Sequence, residues 1–246
     1  MLEITSKNNE LIKSYLKLKE KKYRDSEKLL LIEGYKIFLE AEKSSLKIEK
    51  VLVTKEFLSL HNELNKYNDK LIIINEVVGE KLSSQTNNYS FFAVVKKPEV
   101  NEFDTSFLIL DNIQDPQNLG AIIRTAVSTN IRNLYLINGA DEYNEKVIRA
   151  SMGNVFKVYV KHINLEDLSH ISKDYPIYSA NMYGENLFKT EKPKTKFGLI
   201  LGNEGQGVSR EVEKFANKII SIPMQNQVES LNVAVSCGII CYYLKN

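Results

Sequence analysis

Three polar corners in the last two-thirds of the chain hold residue types suited to gripping a ligand and orienting a reactive group. The first is Asn118-Leu119-Gly120-Ala121-Ile122-Ile123-Arg124, which sets an amide and a guanidinium on the opening turns of an apolar helix. The second is Leu201-Gly202-Asn203-Glu204-Gly205-Gln206-Gly207, three glycines around one carboxylate. The third joins Ile222-Pro223-Met224 to Ser230-Leu231-Asn232-Val233-Ala234-Val235, a small polar pair at the mouth of a long uncharged helix. A guanidinium is the side chain best shaped to hold a phosphate, through its planar fork. Glycines let a ligand approach the backbone closely.

Each corner also has a plainer reading. Asn118 can cap its helix, a role worth about 1 kcal/mol. Arg124 stands off the apolar face formed by residues 119, 122, 123, 126 and 127, where any long polar residue would serve. The glycine loop can be a tight turn with Ser209 as the next cap, and its spacing matches neither a dinucleotide fingerprint nor a phosphate loop. Ser230 can cap the last helix, leaving Asn232 in the first turn with a modest helical rationale.

The elements around these corners alternate. After a lysine-rich opening helix, residues 29–32, 51–53, 71–74 and 91–95 read as strands, with a helix starting at Tyr35, in a small α/β domain. A charged stretch with a proline, residues 96–102, then interrupts the pattern and sets a boundary near 103. Beyond it, strands are expected at 107–110, 134–137, 155–160, 177–180, 198–201 and 219–222, with helices between most of them, which predicts a largely parallel sheet. Ligands of open α/β sheets sit beyond the carboxyl ends of the strands, and the loops after Leu110, Leu201 and Ile222 hold all three corners.

The chain has 246 residues and a formal charge of +2. That charge is too small to demand a polyanionic partner. Cys237 and Cys241 lie one turn apart in the final apolar run, where packing is expected rather than a disulfide, in keeping with a reducing cytoplasm. Residues 1–13 lack the apolar core of a signal peptide, and no apolar run approaches the roughly 20 residues that span a bilayer, so neither secretion nor membrane insertion is expected. The last helix has no charge from Leu231 to Leu244. A helix apolar all round predicts burial within its own domain and against a second subunit, with a monomer's central core helix as the alternative.

Together, residues 110–126, 201–207 and 222–233 resemble the three motifs of the SpoU (TrmH) family of RNA ribose 2′-O-methyltransferases, in order and at family-like spacing. Arg149-Ala150-Ser151-Met152-Gly153 is similar to a further family segment. Lys22-Tyr23-Arg24, Leu31-Ile32-Glu33-Gly34 and Phe92-Ala93-Val94-Val95 resemble parts of the family's substrate-binding domain. The likeness therefore covers nearly the whole chain.

This resemblance implies an α/β protein with a small RNA substrate-binding domain over residues 1–103 and a SPOUT-type catalytic domain over 104–246. The latter would have a mostly parallel sheet and a C-terminal trefoil knot, an exception to the rule that chains do not thread loops. S-adenosylmethionine would sit among the knotted loops beside a homodimer interface, touching Leu201, Gly202, Ile222, Met224 and Leu231. Asn118, Arg124, Glu204, Ser230 and Asn232 match the family's polar active-site positions. No metal is implied. The implied partner is RNA, ribosomal ahead of transfer RNA, in the cytoplasm.

The implied reaction is an in-line attack of a ribose 2′-oxygen on a sulfonium methyl group, where positioning dominates. A free guanidinium holds its proton far above neutral pH and is a poor base, so Arg124 is expected to act electrostatically. Lys13, Lys17 and Lys21, repeating every fourth residue, would form one basic ridge on a helix and, with Arg24, meet phosphates. Tyr15, Tyr23 and Tyr35 could stack bases. Where many relatives have a glycine between Met224 and Ser230, this chain has Asn226, which tolerates a left-handed turn. A catalytically silent RNA-binding protein of the same fold is the alternative. A nicotinamide-dependent oxidoreductase is excluded by the missing glycine fingerprint.

Overall fold

The computed structural model describes residues 2–85, 90–225 and 230–245. Packing divides the chain into two compact units, Met1–Glu99 with Tyr143–Phe156, and Val100–Glu142 with Lys157–Asn246. The first break thus falls just before residue 103. Residues 143–156, expected within a continuous second domain, pack with the first unit instead.

The elements run β1 (Leu2–Ile4), α1 (Glu10–Lys17), α2 (Lys21–Glu27), β2 (Leu29–Glu33), α3 (Tyr35–Lys43), β3 (Ile48–Val53), α4 (Lys55–Leu60), β4 (Leu71–Ile74), α5 (Glu76–Leu82) and β5 (Phe91–Lys96). They continue with β6 (Phe107–Asp111), α6 (Pro116–Ser128), β7 (Asn133–Ile137), α7 (Glu145–Ala150), β8 (Tyr159–His162), α8 (Leu165–Asp174), β9 (Ile177–Asn186), β10 (Gly198–Gly202), α9 (Arg210–Glu213), β11 (Lys218–Ser221) and α10 (Val233–Lys245).

The first unit is built on a five-stranded sheet in the order β1-β4-β3-β5-β2. β4 pairs in parallel with β1 and β3, while β5 runs antiparallel to β3 and β2. Ile12, Tyr15 and Leu18 recur at helical spacing and bury against Leu52, Ile72, Ile74, Phe92 and Val94 of the sheet. Asn9 starts α1 by accepting from the Leu11 amide at 2.9 Å.

The single opening helix expected from the lysine pattern is two helices. The break follows from Arg24, which is 4% exposed and donates from Nη1 to the carbonyls of Leu18 (2.9 Å) and Lys19 (2.6 Å). These carbonyls lie at the end of α1, where no further turn supplies donors. Lys13 and Lys17 therefore lie on α1 and Lys21 on α2, so they do not form one helical ridge. Lys13 pairs with Glu10 at 2.7 Å. Arg24, expected to meet phosphate, is instead an internal strut.

α7 completes the first unit. Arg149 lies 3.6 Å from Glu33, whose side chain is 8% exposed, and also bonds Ser84. Glu33 accepts from the Ser84 amide (3.2 Å) and hydroxyl (2.9 Å) and from the Ser83 hydroxyl. The buried carboxylate thereby acquires both a counter-charge and donors, as burial of a charge demands.

The second unit holds a six-stranded sheet in the order β11-β9-β10-β6-β7-β8, with every pair parallel. Every residue of β6, β7 and β10 is buried. Burial on both faces explains why these strands read as continuous apolar runs. Phe107, Ile109, Ile200, Leu168, Val208 and Val212 form one side of the core.

The strand expected at 155–160 is corrected. Asn154–Lys157 is a 3-10 turn and β8 begins at Tyr159. The apolar run serves two cores, Val155 and Phe156 belonging to the first unit and the residues from Lys157 to the second. α10 packs on α6 and buries Cys237, Ile240, Cys241 and Leu244. Its other side is open, with Val235 and Tyr242 each 50% exposed, so within one chain this helix is not buried all round. Among the described residues, no helix is long and apolar enough to cross a membrane.

The two readings of the basic residues separate on stability. Arg24→Ala should lower unfolding free energy by about 2 kcal/mol or more, because charged hydrogen bonds to buried carbonyls are lost. Lys13→Ala should change it by less than about 0.5 kcal/mol, as expected for an exposed pair. Urea denaturation of both variants checks this.

Candidate active site

The start of α6 positions the first polar group. Asp115 accepts from the Gln117 amide at 2.9 Å and Pro116 occupies the first helical position, so Asp115 is the cap and Asn118 is not. The Asp-Pro pair carries this signal in the sequence. Asn118 falls in the first turn, buried, with its amide free to reach across. Its Nδ2 donates to Glu204 Oε1 at 2.8 Å, and its Oδ1 accepts from Asn232 Nδ2 at 2.8 Å.

Asn232 anchors the other end of this relay. Its Oδ1 accepts from the backbone amides of Ala234 (2.9 Å) and Val235 (3.3 Å), so Asn232 caps α10 and Ser230 does not. With that oxygen committed, the Nδ2 of Asn232 must face Asn118 Oδ1, which turns the Asn118 donor towards Glu204. The helix entrance therefore dictates the orientation of both amides, and donors point one way along the chain of bonds to a carboxylate.

The glycine loop is held from beneath. Asn203 Oδ1 accepts from the amides of Gly205 (2.9 Å) and Gln206 (3.2 Å), while its Nδ2 donates to Asn112 O at 3.0 Å. Asp111, 4% exposed, accepts from the Ser209 amide at 2.7 Å. Gly202 has its own reason to be glycine: a Cβ there would lie 2.2 Å from Gly207 C and Val208 N. Asp111 and Asn203 were not among the expected site residues. Their signal is an acid or amide at a strand end, where such side chains bond nearby backbone.

A pocket of about 520 Å³ opens beside the relay. Its lining contains the expected cofactor contacts Leu201, Gly202, Ile222, Met224 and Leu231, together with Glu204, Ser230 and Asn232. Asn118 touches it through Glu204 and Asn232. Arg124 is outside the lining, exposed on α6, with no ion pair among the described residues. Residues 180–183 of β9 and Ser236 and Ile240 of α10 also line the pocket, and sequence reasoning missed them. Asn226 lies outside the described residues, as do residues 86–89.

Among the described residues, no group of three or more His, Cys, Asp or Glu side chains could hold a metal ion. The Cys241 thiol, with Sγ···Sγ at 3.7 Å, and burial push the Cys237 thiol up. Glu204 is the one charged residue among the described lining residues, so the pocket favours a cationic ligand.

A pocket beyond the carboxyl ends of a parallel sheet, edged by an amide-carboxylate relay, stands where α/β proteins hold small ligands. Residues 105–242 match the SpoU rRNA Methylase family and residues 9–93 the MRM3-like substrate binding domain. The chain belongs to the SpoU rRNA methylase family.

Over 250 aligned residues, covering 100% of both chains, it is 30% identical to the 23S rRNA (guanosine(2553)-2′-O)-methyltransferase RlmP of Bacillus subtilis. A solved RNA 2′-O ribose methyltransferase superposes with TM-score 0.84 at 29% identity, covering 99% of this chain and 98% of that one. An AdoMet-bound rRNA methyltransferase from Sinorhizobium meliloti shares the fold, with TM-score 0.86 at 24% identity, covering 98% and 96%.

The relay predicts a charge-specific response. Asn118→Asp should destabilise the protein at pH 7 by about 1 kcal/mol or more, because a donor is replaced by a second carboxylate facing Glu204. Like charges raise the folded-state carboxyl pKa above its unfolded value of about 4, so the deficit should shrink as pH falls through the raised value towards about 4. Thermal melts of wild type and variant between pH 4 and 8 test this.

Proposed function

We propose that the protein transfers a methyl group from S-adenosylmethionine to a ribose 2′-hydroxyl of RNA, ribosomal RNA ahead of transfer RNA, as a cytoplasmic homodimer. The observation that carries this reading is the Asn118-Glu204-Asn232 relay, which unites the three motifs at the edge of one pocket. The pocket suits the cofactor on its own evidence. Its volume lies within the range of about 300–1,000 Å³ usual for such ligands. Leu201, Ile222, Met224 and Leu231 offer apolar surface for an adenine, and Glu204, the one carboxylate among the described lining residues, complements a sulfonium.

When bound, S-adenosylmethionine supplies an electrophilic methyl carbon on a positively charged sulfur. The residues of the chain do the positioning. Gly202 lets the loop fold tightly on itself, so that Leu201 and the backbone beyond it present a fixed wall. Asn118 and Asn232 hold Glu204 in one orientation, and the exposed Ser230 hydroxyl is free to orient the ribose. Fixing two reactants in near-attack geometry can lower a barrier by about 7–11 kcal/mol in favourable systems.

Arg124 serves as an electrostatic anchor. Its guanidinium is exposed and unpaired among the described residues, and its planar fork suits it to gripping the phosphate next to the reacting ribose and countering negative charge that develops on the 2′-oxygen. The matched substrate-binding domain selects the RNA, with Lys17 and Lys22 placed over the Tyr23 ring at 5.5 and 4.7 Å as a basic-aromatic surface.

Two structural expectations belong to the same reading. The open face of α10, where Val235 and Tyr242 flank Gly238 and a Cβ at Gly238 would meet nothing within 4 Å, is the dimer contact. The C-terminal segment is threaded as the trefoil knot of the superfamily.

Transfer of labelled methyl groups into deproteinised ribosomal and transfer RNA, followed by mapping of 2′-O-methyl positions in cells with and without the gene, tests the activity. Cofactor binding without transfer to any RNA would establish the silent RNA-binding alternative. Arg124→Lys should lower kcat about 100-fold while leaving cofactor Kd unchanged, since removal of one oriented electrostatic contact typically costs that much. A wild-type rate in this variant would remove Arg124 from the mechanism. Val235→Glu should convert the dimer to monomer in sedimentation equilibrium, because a charge has no partner in an apolar contact.

A further inference from the structure

The pocket has an overhang that the transfer chemistry leaves unexplained. Consecutive residues Ile219 and Ile220 of β11 pair with Ser179 and Glu185 of β9, so residues 180–184 leave the ladder as an extruded bulge. Both ends of the bulge are pinned. At one end, Glu213 accepts from Ser179 Oγ at 3.1 Å and Asn181 Nδ2 at 2.9 Å. At the other, Ser221 Oγ donates to Gly184 O at 2.9 Å, and a Cβ on Gly184 would lie 2.5 Å from Ile220 N. Only glycine allows β11 so close.

The tip of this clamped bulge carries Met182, 52% exposed, and Tyr183, 87% exposed, and both line the pocket. The Tyr183 ring makes no ring contact and its hydroxyl no hydrogen bond among the described residues. Strand bulges re-aim side chains beside functional sites. A rigidly mounted aromatic ring with free faces at a pocket rim is the arrangement on which proteins stack unpaired RNA bases.

We propose that Tyr183, supported by Met182, is the stacking platform for the base of the nucleotide whose ribose enters the pocket. This rests on the RNA methyl-transfer reading. Stacking on a π-face discriminates an unpaired base from a paired one and tolerates any base identity. The platform therefore selects a splayed-out nucleotide, and the first unit is left to choose the sequence. Tyr183 is a positioning residue, since it holds the base and not the reacting atoms.

The chain contains no tryptophan, so Tyr183→Trp installs a single indole reporter. Its fluorescence should be quenched by in vitro transcribed 23S rRNA and unchanged by S-adenosylmethionine alone. Quenching by the cofactor alone would show that the ring covers the adenine, and overturn the proposal. In turnover, Tyr183→Phe should match wild type, while Tyr183→Ala should raise KM for the rRNA about 10-fold or more at unchanged cofactor Kd. An unchanged KM in Tyr183→Ala would also overturn it. Circular dichroism of each variant checks that the fold is retained. Failure of the wild-type chain to methylate any RNA would defeat the methyl-transfer reading alone, because the quench reports binding and needs no turnover.

Discussion

One side-chain amide closes the site. Asn118 uses its donor on Glu204 and its acceptor on Asn232, partners 86 and 114 residues further along the chain. An amide is the one neutral group of this size that can donate and accept along a single line. An aspartate could not donate to a carboxylate, a leucine could do neither, and a serine is too short to span both partners. Because Asn232 is itself locked to the first amides of α10, the helix sets the polarity of the whole relay. The glycine loop, the end of β10 and the last helix thus share one geometric reference.

The strand order explains why this convergence is possible. β10 and β6 are neighbours, which brings the loops after both to the same edge of the sheet. β9 stands between β10 and β11, so the pocket between the loops after β10 and β11 is roofed by whatever β9 does there. A regular ladder would leave that roof flat. The extruded residues 180–184 put side chains into it, and the close approach at Gly184 keeps them in place.

Much of the second unit was legible because β6, β7 and β10 are buried on both faces. Phe107, Leu134, Ile177 and Gly198 each open an apolar run too short for a helix and bounded by polar residues, and the strands lie there. The run at residues 155–160 misled because two cores share it, and periodicity does not reveal which core a residue enters. Caps were read poorly. The α6 cap was placed at Asn118 although Asp115-Pro116 carries the start signal, and Ser230 and Asn232 are both good caps, so only tertiary bonding chose between them. The lysine spacing suggested one helix, since nothing in a list of residue types says that Arg24 will turn inward to satisfy carbonyls. The five polar residues expected at the site came from their joint resemblance to a family. The bond pattern that relates three of them was not legible, because it depends on distances between segments far apart in sequence.

The first unit takes its last helix, α7, from a stretch that the chain reaches only after laying down β6, α6 and β7. Translation runs from the N-terminus, and domains ordinarily complete themselves as they emerge. Here the first unit is incomplete at that stage: when residue 99 leaves the ribosome, Glu33 still lacks the guanidinium of Arg149. Until two of the six strands of the other unit's sheet have been synthesised, that carboxylate has only the serine donors described above. The two units are consequently interleaved in sequence, and the first receives its last helix only after part of the second has been made.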